Sequence, residues 1–466
     1  MSKSKKLFVL LGVLLVVCVA TFAISRYETK KEEIRNSDEV ILTIDADTVS
    51  SLSWKYGSEE LGFHKDETWL YDEDEAFPVN EEKIDELLNV FKEFGVSFAI
   101  ENVEDYGQYG LDDPMCTINI SAGDTEYKIS LGDYSAMDSE RYISIGDGNV
   151  YLASHDPYDD YELVISDMIQ HDEIPSLADA TEIQFSGSEA YSIRYEEESD
   201  KSYCPDDVYF TEDKPLDTSS VSSYLSLMSS LSITDYVSYN VTDEELASFG
   251  LDTPELTVTV NYPFENEDEE TEERTFVLNV GRNQEELKEA LESDEENAED
   301  NVTAYVRVGD SQIIYRITSL NYENLMKASY DDLRHKEVLT ASFDDIYQID
   351  ITLEGENYSI TSETSEDNED ERVWHYKDDE ELELASLRNA IKGLSADSFT
   401  EETPTGKEEI SFTVYLDNEK YPQVEVSLYR YDGSSCIAVV DGKPVSKVPR
   451  SQVVDLIEAV NAIVLN

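Results

Sequence analysis

Hydrophobic and polar positions change period along this chain in an order that recurs. In VNEEKIDELLNVFKEFG (79–95) the residues Ile84, Leu87, Leu88, Phe91 and Phe94 fall on one face at helical spacing. MCTINI (115–120), YKISLGD (127–133) and NVYLAS (149–154) then alternate as half-buried strands do, and YDDYELVISDMIQ (158–170) closes the series as a helix. The series returns. LDTSSVSSYLSLMSSLS (216–232) presents Val221, Leu225, Met228 and Leu231, strands follow at 256–260, 275–282 and 312–317, and NYENLMKASYDDL (321–333) closes the run as a helix.

A short phrase marks the passage from helix to strand in each series: YGLDDP at 109–114 and FGLDTP at 249–254. In the second copy Thr242 and Glu245 have capping-box spacing, so a short helix is expected to end at Phe249. Gly250 supplies the left-handed residue, Leu251 folds back on the last turn and Pro254 forbids resumption. In the first copy Asn102 is the expected cap, and Tyr109, Gly110, Leu111 and Pro114 take the matching places. Asp112 and Asp252 suit backbone groups of a turn better than a ligand.

The exits also match, IQHDEI (169–174) against LRHKEV (333–338), so a third series is expected from residue 336. It offers strands IYQIDITL and RVWHYKD, helix LASLRNAIKGL, three more strands and a closing helix SQVVDLIEAVNAIV. It has SFTEETPTGKEEI in place of the glycine-leucine corner, a departure open to an end repeat. Trp69 and Trp374 hold one slot, the strand before the first helix. Packing of a large aromatic between sheet and helix accounts for them; a sugar-stacking platform is the alternative. The expected fold is α+β: tandem modules over 41–178, 179–335 and 336–466, each an antiparallel sheet with helices on one face.

The N-terminus places these modules. Residues 7–24 carry no charge and approach the length of a membrane-spanning helix, so the expectation is a cytoplasmic tail (1–6), an anchor (7–25), a stalk (26–40) and an extracytoplasmic body. A cleaved signal peptide competes, with Ala23-Ile24-Ser25 as its nearest approach to a cleavage site. Basic residues flank the segment on both sides, which leaves orientation to the shortness of the tail.

Charge then removes one class of partner. Asp and Glu number 105 against 34 Lys and Arg, for a formal net charge of -71, and no basic cluster exists beyond the N-terminus to displace counterions from nucleic acid. Acidic runs at 265–273, 285–300 and 365–371 read as solvated loops between strands. Calcium is the sharper reading, but the DxDxDG spacing is absent. Four cysteines, Cys18 and one in each third of the body, form no disulfide framework.

No catalytic or metal-ligating pattern stands out. The histidines at 64, 155, 171, 335 and 375 are scattered without HExxH or CxxC neighbours, and no GxSxG, GxxxxGK or GxGxxG occurs. No cofactor is expected. A hydrolase would require loss of an activity on changing His155 or His335.

Taken together, the two corners, Trp69, Trp374, the Leu131-Gly132 strand end and the exits at His171 and His335 resemble the bacterial extracytoplasmic proteins called domain of unknown function 4340. The resemblance covers about 40–466. It implies a membrane-anchored envelope protein, often encoded beside an ABC transporter similar to that of gliding motility, and brings no catalytic residues. The expected function is therefore a non-enzymatic scaffold that presents sheet edges or concave faces to envelope proteins, transporter subunits included. The alternative is a surface protein that binds a cell-wall polymer or divalent cations.

Overall fold

The computed structural model describes Thr21 and residues 39–465, apart from 102, 267, 296, 365–371 and 378–380. The predicted anchor over 7–25 lies outside them except for Thr21. Among the described residues no helix is long and apolar enough to cross a membrane. The chain divides into two compact units, the first ending at Asp172 and the second beginning at Glu173.

The first unit holds strands β1 (Glu39–Leu42), β2 (Val49–Tyr56), β3 (Glu59–Lys65), β4 (Trp69–Tyr71), β5 (Phe94–Ile100), β6 (Cys116–Ala122), β7 (Thr125–Ser135), β8 (Glu140–Ser144) and β9 (Val150–Ala153). They form one antiparallel sheet in the order β4-β3-β2-β6-β7-β8-β9-β5-β1. The second unit holds two sheets. Its first strands are β10 (Glu182–Gly187), β11 (Tyr191–Tyr195), β12 (Tyr209–Thr211), β13 (Lys214–Pro215), β14 (Tyr236–Ser238), β15 (Leu256–Glu265), β16 (Thr271–Arg282), β17 (Ala304–Val308) and β18 (Ile314–Ile317), ordered β13-β12-β11-β10-β15-β16-β17-β18-β14.

The third sheet comprises β19 (Ile346–Leu353), β20 (Glu356–Thr364), β21 (Arg372–His375), β22 (Ser398–Phe399), β23 (Glu408–Leu416), β24 (Gln423–Arg430), β25 (Ser435–Val440) and β26 (Lys443–Pro449), ordered β21-β20-β19-β23-β24-β25-β26-β22. Leaving aside β1 and β13, all three sheets have one strand order. In each, the opening strand pairs with the strand after the corner: Trp54 faces Ile118, Ile183 faces Val260 and Ile349 faces Val414. An α+β fold of repeated antiparallel sheets is therefore present, and the third copy keeps the topology without the glycine-leucine phrase.

Helices lie where periodicity puts them, with some changes of extent. Helix α1 (Glu81–Asn89) starts where the Asn80 side chain accepts the Lys83 N–H, and buries Ile84, Leu87 and Leu88. It stops short of Phe94, which opens β5 instead. The closing helix expected over 158–170 is only α2 (Tyr158–Tyr161) plus a 3-10 turn at Ile165–Met168, because Val164 is extended and the Asp167 carboxylate accepts its N–H.

In the second unit, α3 (Thr218–Ser229) is capped by Asp217 and buries Val221, Tyr224, Leu225 and Met228. Helix α4 (Asp243–Ser248) precedes the second corner. The acidic run at 285–300, expected as a loop, contains α5 (Gln284–Glu292), which starts where Asn283 accepts the N–H groups of Glu285 and Glu286. The closing segment splits into α6 (Ser319–Met326) and α7 (Tyr330–Leu333), since Ser329 forms a new capping box with Asp332. Helices α8 (Ala385–Lys392) and α9 (Arg450–Val464) place Leu387, Ile391, Val453, Leu456 and Val460 in one core with Ile349, Ile351 and Val414 of the third sheet.

Candidate functional site

The two corners are built alike. Gly110 and Gly250 have φ of +69° and +70°, which a β-carbon disfavours. The Leu111 N–H returns to the Tyr106 carbonyl at 3.1 Å and the Leu251 N–H to the Leu246 carbonyl at 2.8 Å. Thr242 and Glu245 make the predicted capping box. Ahead of the first corner stands only a 3-10 turn, Gly107–Tyr109, and the expected cap Asn102 lies outside the described residues.

Each corner docks on the end of the second strand of the following hairpin. A Cβ on Gly132 would run into the Tyr109 carbonyl oxygen; one on Gly281 would stand 2.5 Å from the Gly250 oxygen and 2.8 Å from that of Phe249. At the second corner backbone meets backbone because Gly250 and Gly281 both lack a side chain, whereas Gly132 faces the Tyr109 carbonyl and the Leu111 side chain. Tyr109 packs on Tyr142 with ring centroids 5.0 Å apart, and Phe249 on Tyr305 at 4.6 Å. Leu251 joins Val241, Tyr305 and Ile314 in a small satellite core, whereas Leu111 is half-buried. Pro114 and Pro254 are half-buried, and Asp112 and Asp252 point to solvent. Trp69 is 3 % exposed inside the first core, and Trp374 packs, half-buried, against the third.

An arginine ties the strand end to the closing helix in the first two copies. Arg141 is bonded to Asp156 at 2.7 Å and to the Gly132 carbonyl at 2.8 Å, its guanidinium 4.4 Å from the Tyr158 ring. Arg282 is bonded to Glu255 at 2.9 Å and lies 4.9 Å from the Tyr322 ring, whose hydroxyl donates to the same carboxylate at 2.6 Å. Burial, and then that bond, push the Tyr322 hydroxyl up. In the third copy Glu409 takes both Arg430 and Arg450. These clusters brace the modules.

A different chemistry appears within the second unit, in the loop between β11 and β12. Lys420 reaches Asp200 at 3.0 Å, and Tyr203 packs against the third core and edge-on to Tyr421. Behind Tyr203 the chain turns tightly, with the Asp207 N–H on the Cys204 carbonyl. The Asp207 side chain, 1 % exposed, accepts from Ser202 Oγ at 2.6 Å through Oδ2 and meets His335 Nε2 at 2.7 Å through Oδ1. Burial works against charge on His335, but the Asp207 bond and its charge hold the imidazole above its ordinary range. Burial, reinforced by the Asp207 charge, pushes the Cys204 thiol up to about 12. Donor atoms of Cys204, Asp207 and His335 all lie within 4.8 Å of one another, the one such convergence of three metal-ligand side chains among the described residues.

The remaining histidines are dispersed. His64 and His155 form exposed pairs with Asp72 and Asp160, each at 2.6 Å, so His155 is a surface residue. The Cys204 cluster has no signature in the sequence because its parts are 128 residues apart in the chain. Its only local trace is Cys204-Pro205-Asp206-Asp207, which places two ligands on one turn.

Comparison with known families gives one match, to the family described as "Domain of unknown function (DUF4340)", over residues 69–214 and again over 207–412. The two matches overlap across β12. No curated protein and no solved structure matches the chain.

Proposed function

The chain belongs to the domain of unknown function 4340 family, and on that premise we propose that it works as a non-enzymatic, membrane-anchored extracytoplasmic scaffold. Its partners on this reading are other envelope proteins, subunits of an ABC transporter among them. One observation carries the proposal: the side chains that recur from copy to copy are consumed in packing, glycine against backbone, aromatic against aromatic and arginine against carboxylate. Residues kept for chemistry would point into a cleft, whereas these hold a sheet together. The thiols of Cys116, Cys204 and Cys436 are pushed up by burial to about 12, about 12 and about 11, which makes them poor nucleophiles. The anchor at 7–25 gives the membrane attachment on this reading.

The polymer-binding alternative draws less support, since a Trp69 that is 3 % exposed offers no stacking face. Binding of a divalent cation is favoured by the Cys204 cluster alone. The scaffold is tested with a photo-crosslinking residue placed singly at Met137, Tyr134 and Phe98, which are 88 %, 51 % and 52 % exposed. Irradiation of native membranes followed by mass spectrometry is expected to recover membrane-embedded transporter subunits. Recovery of no membrane protein from any of the three positions, with the chain still in the membrane fraction, rejects the proposal.

A further inference from the structure

We propose that Cys204, Asp207 and His335 bind one zinc-class divalent ion, which fastens the loop at 196–208 of the second sheet to the segment that leads into the third. The donor set decides the class of ion. A thiolate, an imidazole and a single carboxylate form a mixed S, N, O set suited to zinc or cobalt, whereas calcium and magnesium require oxygen ligands in greater number. Two donors come from one tight turn and the third from the segment that follows α7, so the ion would reinforce a junction now held by the Asp207–His335 hydrogen bond between parts of the chain far apart in sequence.

The surroundings are those a metal site uses. Ser202 Oγ donates to the Asp207 oxygen that faces away from His335 and accepts the Cys204 N–H at 3.0 Å, which orients both ligands of the turn. Glu337 Oε2 lies 3.9 Å from His335 Nδ1, the ring nitrogen left over when Nε2 takes the ion, and a small side-chain shift would bring it to hydrogen-bond distance as an outer-shell carboxylate. His335 and Glu337 also line a groove of about 220 Å³, so the imidazole side of the site borders solvent. Asp207 and His335 now share a hydrogen bond at 2.7 Å. Binding releases two protons to solvent, the one shared by Asp207 and His335 and that of the Cys204 thiol, and a tetrahedral ion with bonds of about 2.0–2.1 Å to oxygen and nitrogen needs the Asp207 and His335 atoms to part to about 3.3 Å, a small rotation of the ring.

The test is cobalt titration of the reduced, detergent-solubilised full chain. One equivalent is expected to produce the visible bands of a tetrahedral site and a thiolate-to-cobalt charge-transfer band. One equivalent of zinc removes both, and a large excess of calcium does not. Cys204→Ser abolishes the charge-transfer band, Cys116→Ser and Cys436→Ser keep it, and Glu337→Gln weakens zinc binding about 10-fold. Absence of the band in the unsubstituted chain overturns the proposal, a result that needs no variant to fold. A band that survives Cys204→Ser, or that calcium removes, overturns it as well. The readout is independent of any partner, so its failure leaves the scaffold proposal standing.

Discussion

At the foot of the second sheet, Gly250 has φ +70° and lies under the Arg282 end of β16; at the foot of the third, Gly406 lies under the Arg430 end of β24 with a φ outside the left-handed region. The first belongs to the FGLDTP corner and follows a capped helix. The second sits in TPTGKEE, with neither the helix nor the leucine. Yet a Cβ on Gly406 would run into the Arg430 carbonyl oxygen, as one on Gly250 would meet the Arg282 oxygen at 2.8 Å. What the architecture requires is a residue without a side chain where the chain passes under the second long strand. The left-handed turn and the returning leucine are one way to deliver it, and the end copy has another.

This comparison can be broken by substitution. Gly406→Ala is expected to have the largest effect, about 3 kcal/mol of destabilisation, because the obstacle is a backbone carbonyl that cannot swing away. Urea unfolding measures it, and a loss below about 1 kcal/mol would mean that the turn has room to shift and that the two corners are not equivalent. Gly281→Ala, on the receiving side of the second corner, should cost about 2 kcal/mol by the same assay. Gly250→Ala meets the movable Gln284 side chain and a looser backbone contact, so its cost is mainly the left-handed backbone penalty of about 1–2 kcal/mol, and the rise in unfolding should be confined to the second sheet in hydrogen exchange. Thr242→Ala removes a cap that the third copy lacks altogether, for about 1 kcal/mol.

The smallest effect concerns the turn between β24 and β25 of the third sheet. Asp432 accepts the N–H groups of Ser434 and Ser435, and these bonds lower its carboxyl from 3.8 to about 2. A folded value below the unfolded one means that the contribution to stability is present above about pH 4 and fades as pH falls through about 2. A carboxyl resonance titrating near its ordinary value would show that the turn does not hold in solution.

Much of this architecture was legible beforehand because its cause is local. Period-two runs such as IYQIDITL became β19 residue for residue, and the Thr242 box appears as its spacing requires. Errors arose where a helical pattern met a competing cap: Ser329 divides the second closing helix and Asp167 the first. Helix α5 stands where acidity alone suggests a solvated loop, because QEELKEALE consists of good helix formers behind an Asn cap. The third corner was hidden because its glycine is selected by a contact with β24, which no neighbouring residue announces. The Cys204 cluster was hidden for the same reason on a larger scale, since spacing reveals ligands only when one element carries them.

The outermost strands of these sheets are short. β1 and β21 have four residues, β4 and β14 three, and β13 and β22 two. Three successive sheets with one strand order could exchange partners during synthesis, each emerging copy completing its neighbour instead of itself. A margin of two to four residues offers an incoming segment too few rungs to hold, while the long pairings, such as the ten-residue match of β15 with β16, form within a copy. Brevity at the rim thus lets a tandem chain of similar sheets mature without entangling its own copies.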